Sequence, residues 1–230
     1  SRGLGDVYKR QLPEAVFSGC SRLVNVNLPE GLTSIGPTAF QSCINLREIS
    51  IPDSVQAIHG SAFEWALRLS DIRVGAGNPT YHTVDGVLMT KDGYELTAYP
   101  AGRPGIRYDV PDGIVEIAPS AFYGSGLVAV RCPDSLRKIG RTAFANNERL
   151  RYVQLPAGMQ SIETWAFSGS DNITDVCFGG SEEAFHALCD PDYVFPSRVN
   201  VHSYSYMVIP GAAEPVSYTH LRAHETSAHL

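Results

Sequence analysis

A phenylalanine returns at a fixed interval along this 230-residue chain, and no other feature limits the possible folds as tightly. Phe17, Phe40 and Phe63 stand 23 residues apart, and Phe122, Phe144 and Phe167 resume at intervals of 22 and 23. Pro29 to Pro52 and Pro133 to Pro156 keep the same 23-residue step. Self-similarity of this length signals a stacked array, in which each unit buries its apolar face only against its neighbours. The repeat therefore argues for one elongated domain, and it tilts function toward binding rather than catalysis.

Residues 46–69 serve as the type unit. Leu46, Ile49 and Ile51 alternate with Glu48 and Ser50, which predicts a short strand with one buried face. Pro52, Asp53 and Ser54 supply turn chemistry, and Val55 with Ile58 predicts a second short extended piece. Ala62 and Phe63 then read as a single helical turn, with Ser61, Thr38, Ser120 and Thr142 as equivalent N-caps. Leu23, Val26, Leu28, Leu32, Ile35, Ala39 and Phe40 repeat these letters. So do Leu127, Val130, Cys132, Leu136, Ile139, Ala143 and Phe144, and again Leu150, Val153, Leu155, Met159, Ile162, Ala166 and Phe167. The alanine is small because the phenylalanine beside it needs room against the next unit.

Composition excludes several classes. A formal charge of -6 and a pI near 5.6 argue against a general nucleic-acid surface. No apolar run approaches the roughly 18 to 20 residues of a membrane helix. Five cysteines without CxxC spacing argue against a disulfide framework or a structural zinc site. The two ends have a character of their own. The string AGATGTGTATAAGAGACAG encodes Asp6 to Gln11, and its reverse complement encodes Val216 to His220. Residues 1–11 and about 215–230 thus resemble translated sequencing adapter, and the chain is expected to be an open reading frame from a shotgun, metagenomic read. Without those tails, basic residues fall from 18 to 14 and acidic ones from 24 to 22, a net of -8.

Residues 45–52 (Asn-Leu-Arg-Glu-Ile-Ser-Ile-Pro), continued by Ala62-Phe63, and residues 38–43 (Thr-Ala-Phe-Gln-Ser-Cys) closely resemble the leucine-rich repeats of the BspA type. The resemblance spans about residues 12–209, in at least five units. It implies a β-rich solenoid of short parallel strands with little helix. It also implies a non-catalytic protein-binding or adhesion module of a bacterial cell-surface or secreted protein, whose partner is a host or neighbouring-cell surface protein. A structural spacer, or an accessory region of a larger surface enzyme, are the alternatives.

The period breaks once. Phe63 to Phe122 is 59 residues against 46 for two undisturbed units, which leaves about 13 extra residues within 75–110. Asp85-Gly86 and Asp92-Gly93, set between apolar alternations, predict a β-hairpin through Val87–Met89 and Glu95–Tyr99. Similar insertions occur in the family, and Asn78, Pro79, Tyr81 and Asp85 fit that resemblance. The hairpin either widens one coil or displays Tyr81, His82, Tyr94 and Tyr99 as a contact loop. Residues 181–188 predict a short helix with a serine cap, followed by a last strand at 198–202; together they form a C-terminal cap at about 179–209, ahead of a linker remnant and tail at 210–230.

No triad, paired-carboxylate or phosphate-loop pattern stands out, and no catalytic, cofactor-binding or metal-ligating residue is assigned. Cys20 and Cys43 are expected to stack as buried thiols rather than bond. His186 with Cys189, Asp190-Pro191-Asp192 and the sequon at Asn172 carry little weight. The remaining candidate is the outward face of the successive strands. One column holds Asn25, Glu48, Asp71, Ala129, Tyr152 and Asp175; the next holds Asn27, Ser50, Arg73, Arg131, Gln154 and Cys177. Stacking at about 4.8 Å would make these a continuous polar face with an Arg and Tyr patch. Asn27, Glu48, Ser50, Asp71, Arg73, Arg131, Tyr152 and Gln154 are the expected contact residues.

Overall fold

The computed structural model describes residues 10–188, 194–195 and 199–203. The chain winds as a coil whose successive turns contribute strands to a front row and a back row. Front strands are β3 (Glu48–Ile51), β5 (Asp71–Val74), β9 (Arg107–Asp109), β11 (Ala129–Arg131), β13 (Tyr152–Leu155), β15 (Asp175–Phe178) and β16 (Asn200–Ser203). Back strands are β1 (Gln11–Leu12), β2 (Ser34–Ile35), β4 (Ala57–Ile58), β8 (Glu95–Ala98), β10 (Glu116–Ile117), β12 (Lys138–Ile139) and β14 (Ser161–Ile162). Within each row neighbouring strands pair in parallel, Ile49 opposite Ile72 and Val130 opposite Val153, except where the insertion separates β4 from β8 and β5 from β9. This is the predicted β-solenoid. The alternation of β3 is borne out residue by residue, with Ile49 and Ile51 buried and Glu48 and Ser50 exposed.

The phenylalanines form two stacks inside the coil. Phe17, Phe40 and Phe63 follow one another at ring separations of 5.4 and 5.9 Å. Tyr99, Phe122, Phe144, Phe167 and Phe195 continue at 5.0, 4.7, 5.1 and 4.5 Å. Phe40, Phe63, Tyr99, Phe122, Phe144 and Phe167 each follow a buried alanine, and the backbone N–H of Phe40, Phe122 and Phe144 donates to Ala62, Ala143 and Ala166 of the following coil. These turn N–H groups point forward along the array. In the back row, N–H groups of His59, Gly140 and Glu163 point backward, to Ile35, Ile117 and Ile139.

The residue before Ala-Phe is not an N-cap. Thr38, Ser120 and Thr142 have φ of 51, 58 and 54°, in the left-handed region, where they turn a corner instead of opening a helix. Among the described residues only 60–63 form a 3-10 turn, and its cap is His59, whose ring accepts from the Ser61 N–H. The hydroxyls bridge coils: Ser61 accepts from the Thr38 N–H at 3.3 Å, and Ser120 pairs with Thr142 at 2.9 Å. A second corner follows two residues after every phenylalanine of the repeat, at Gly19, Ser42, Trp65, Gly124, Asn146 and Gly169.

The insertion is a meander rather than a single hairpin. β6 (Tyr81–Val84), β7 (Val87–Thr90) and β8 run antiparallel and extend the back row in the order β10-β8-β7-β6. Asp85 and Gly86 both have positive φ (50 and 78°), the geometry of a tight type I′ turn. Tyr99 stands in for the missing phenylalanine, 36 residues after Phe63 and 23 before Phe122, so the extra residues all precede it. β9 is accordingly an ordinary front strand. β7 divides the core: Leu88 packs with the residues of the first block, Val87 and Met89 with those of the second.

The inserted coil has a short turn. Leu96 pairs with Ile117 but lies only three residues before its aromatic ring, where Ile117 lies five before Phe122. With that corner missing, the flanking turns meet directly. A Cβ on Gly60 would clash with the Pro119 carbonyl oxygen, Ser120 donates to Glu64 at 2.7 Å, and Trp65 meets Tyr123 edge-on at 5.3 Å.

At the C-terminal end, α1 (Glu182–Leu188) starts as predicted, with the Ser181 hydroxyl accepting from the Ala184 N–H at 3.2 Å. Phe185 is buried against Phe178 and Phe195, and β16 adds to β15.

Candidate functional site

The front row presents the predicted face, but in two pieces. β3 and β5 form one pair; β9, β11, β13, β15 and β16 form a separate five-stranded sheet. Asn27 joins the first piece only through an isolated bridge to Ser50. The break has a physical cause, because the Asp85-Gly86 turn lies alongside β5, where the Ile72 N–H donates to the Gly86 carbonyl at 3.2 Å. The expected continuous ladder is therefore corrected to two patches flanking a hairpin tip.

On the first patch Arg73 reaches Glu48 across the pair at 2.8 Å and Asp71 on its own strand at 2.7 Å. Ser50 and Asn27 are exposed beside it and, with Asp53 and residues 75–77, border an open groove of about 560 Å³. On the second patch Asp109 accepts from Arg107 at 3.1 Å and lies 3.5 Å from Arg131. Tyr152 is half-buried and in register with Ala129 and Asp175. Gln154 is only 5% exposed, which removes it from the contact surface. Cys177 and Ala129 are also buried, Cys177 in register with Gln154 and His202 and Ala129 with Arg107 and Tyr152.

Four members of this face escape the sequence columns: Arg107, Asp109, Asn200 and His202. The proline at 111, 22 residues before Pro133, marks the strand that carries the first two. His202 lies 2.8 Å from Asp175, which also accepts from Thr174 at 2.7 Å. Burial opposes ionisation of Asp175, yet the bonds from Thr174 and His202 outweigh it and hold the carboxyl below its ordinary range.

The hairpin residues separate into core and surface. Tyr99 is 4% exposed and belongs to the ring stack, and Tyr81 is buried with its hydroxyl accepting from the Ile58 N–H at 3.0 Å. Neither is displayed; a tyrosine here supplies apolar area to the coil. Tyr94 is 49% exposed and His82 half-buried, so these two remain at the surface.

The cysteine expectation is also partly corrected. Cys43 is buried, its thiol pushed up to about 11 chiefly by burial, whereas Cys20 is exposed; both are free, as are Cys132 and Cys177. Cys189 and residues 190–192 lie outside the described residues. Among the described residues no three His, Cys, Asp or Glu side chains gather closely enough to hold a metal ion, and no helix is long and apolar enough to cross a membrane.

Comparison with known proteins follows the same outline. A crystal structure of the pneumococcal vaccine antigen PcpA is similar over 68% of this chain and 45% of its own, at 27% identity and a TM-score of 0.61. A leucine-rich repeat protein from Eubacterium ventriosum shares the fold at 21% identity and a TM-score of 0.52, covering 74% of this chain and 64% of that one. A leucine rich cell surface protein from Faecalibacterium prausnitzii does so at 22% and 0.53, covering 76% and 65%. The chain thus spans less than two thirds of each of these proteins. No curated protein matches it. Residues 9–82 and 107–189 match the BspA type leucine rich repeat region in six copies, skipping the meander, and with these matches the chain belongs to the BspA-type leucine-rich repeat family.

Proposed function

We propose that the chain is a non-catalytic protein-binding module of a bacterial surface or secreted protein, and that the five-stranded front sheet is its contact face. The observation that carries this reading is the cluster of Arg107, Asp109, Arg131 and Tyr152, held on paired strands with side chains partly exposed. Arginine and tyrosine contribute disproportionately to protein interfaces when a rigid backbone positions them. The Asp109 pairings orient both guanidinium groups before a partner arrives, which lowers the ordering cost of association. The names of the PcpA antigen and the Faecalibacterium surface protein support a location outside the cell.

The test is surface plasmon resonance against immobilised matrix and epithelial surface proteins. The chain with Arg131→Ala and Tyr152→Ala is expected to lose at least about tenfold in affinity for a captured partner while keeping its circular dichroism melt. Undiminished binding by that variant would place the contact on a surface other than the front sheet, and no binding by the unaltered chain would instead indicate a structural spacer.

A further inference from the structure

We infer that a second surface, the rim that leads from the turns into the front strands, docks an extended acidic segment of a protein partner. The inference rests on the protein-binding reading above but on different residues. In the first four coils this rim is residues 20–24, 43–47, 66–70 and 102–106, and it contains Arg22, Arg47, Arg68 and Arg103 without one Asp or Glu. The chain as a whole is acidic, at -6, so this run is not a reflection of composition. The later rim, residues 125–129, 147–151 and 170–174, carries two arginines balanced by Glu148 and Asp171.

The backbone sets these coils in register. Arg47 N–H donates to Val24 at 3.1 Å, Ser70 N–H to Arg47 at 2.9 Å, and Gly102 N–H to Leu69 at 2.8 Å. Arg103 is committed, its Nε donating to the Asp85 carbonyl at 3.0 Å and its guanidinium lying between Tyr99 and Tyr108. Arg22, Arg47 and Arg68 are exposed, and among the described residues none of them pairs with a carboxylate; Arg68 is steadied by Asn45 at 3.0 Å. Elsewhere on the chain Arg73, Arg107, Arg131 and Lys138 all have carboxylate partners. Arg137 and Arg151 bond backbone carbonyls and Arg141 lies over Trp165, whereas the rim sets three guanidinium groups without a carboxylate partner on consecutive coils, where another molecule can neutralise them.

Apolar side chains decide the class of that molecule. Ile44 and Leu67, at equivalent positions of adjacent coils, are 43% and 41% exposed. A shallow groove of about 430 Å³ lies between Arg47, Leu67, Arg68, Ser70 and Gly102. Arg22 and Arg68 are two coils apart, about 10 Å, which an extended peptide covers in three residues. Carboxylates at that spacing meet the guanidinium forks, and an aliphatic side chain between them covers Ile44 and Leu67. A sulfated glycan would use the arginines and leave the apolar pair wet.

The experiment selects from a displayed library of random 12-residue peptides on the whole chain. Enriched peptides are expected to combine Asp or Glu with Leu, Ile, Val or Phe. They should bind at least about tenfold more weakly to Arg47→Glu/Arg68→Glu and measurably more weakly to Leu67→Ser, and equally well to Arg131→Ala/Tyr152→Ala. The inference is overturned by an absence of enrichment, by selected peptides lacking acids, or by equal binding to the charge-reversed variant. It is also overturned if heparin displaces the peptides and binds Leu67→Ser as tightly as the unaltered chain, which would assign the rim to a glycan. Failure of the rim alone leaves the front-sheet variant still defective toward its protein partner; failure of both removes the binding reading itself.

Discussion

The two blocks of this solenoid are written in one repeat and packed differently. In the first, up to Val74, the rings stack at 5.4 and 5.9 Å; in the second, three successive rings stack at 4.7 and 5.1 Å and the cap adds a fourth at 4.5 Å. The position three residues after the phenylalanine is Cys20, Cys43 and Ala66 in the first block. In the second it is Ser125, Asn147 and Ser170, buried and joined by hydrogen bonds, with the Asn147 N–H donating to Ser170 at 2.9 Å. The first block opens at Phe17, half-buried, whereas the second is closed by Phe185 and Phe195. The repeat sets the phase of the coil, and the neighbours on either side set how tightly it closes. Nearest-neighbour energetics of this kind are what a quasi-one-dimensional fold leads one to expect.

The contrast can be broken first at the rings. Phe144→Ala removes a fully buried ring stacked on both sides and is expected to cost about 3 to 5 kcal/mol in urea unfolding. Phe17→Ala, with one stacked neighbour, should cost less than half of that, on the order of 1 to 2 kcal/mol. Equal costs would mean that the block ends do not matter. The seam between the blocks gives the next effect. Gly60→Ala places a methyl against the Pro119 carbonyl, a backbone atom that cannot swing aside, and should cost about 1 to 3 kcal/mol. A neutral result by thermal melting would show that the flanking turns do not bear on each other.

The smallest effect lies at Glu95, where the meander joins the second block. Burial raises its pKa, with Glu116 in the adjacent strand adding to the rise and the Thr97 hydrogen bond opposing it. The folded pKa is above the unfolded one, so the native state gains relative stability as pH falls through that pKa and carries the penalty above it. Glu95→Gln, which keeps an acceptor for Thr97, should therefore raise the melting midpoint slightly at pH 7 and not at pH 4. The same gain at both pH values would place the cause elsewhere.

Most of the core was legible in the letters, because each buried position recurs in register and one error cannot shift the rest. Ala39, Phe40, Leu46, Ile49 and Ile51 are all buried as their spacing predicts. Tyr99 was not legible as a stack member, since its hydroxyl suggests a surface and its coil has lost two turn residues. The hydroxyls of Thr38 and Ser120 look like caps along the chain and act as bridges across it, a distinction that only the neighbouring coil makes. The front face was legible as columns of charge, but the break between β5 and β9 depends on where a hairpin tip settles, a contact distant in sequence. The acid-free rim was present in the composition of four short windows and emerges only when those windows are laid side by side.

The opposed direction of the backbone hydrogen bonds carries an electrical consequence. An α-helix aligns all its peptide dipoles and accumulates a macrodipole with partial charges at its ends. Here the turn N–H groups point forward and the back-row N–H groups point backward, so the two columns largely cancel at every coil. Adding coils therefore builds up less axial field than lengthening an α-helix by the same number of hydrogen bonds.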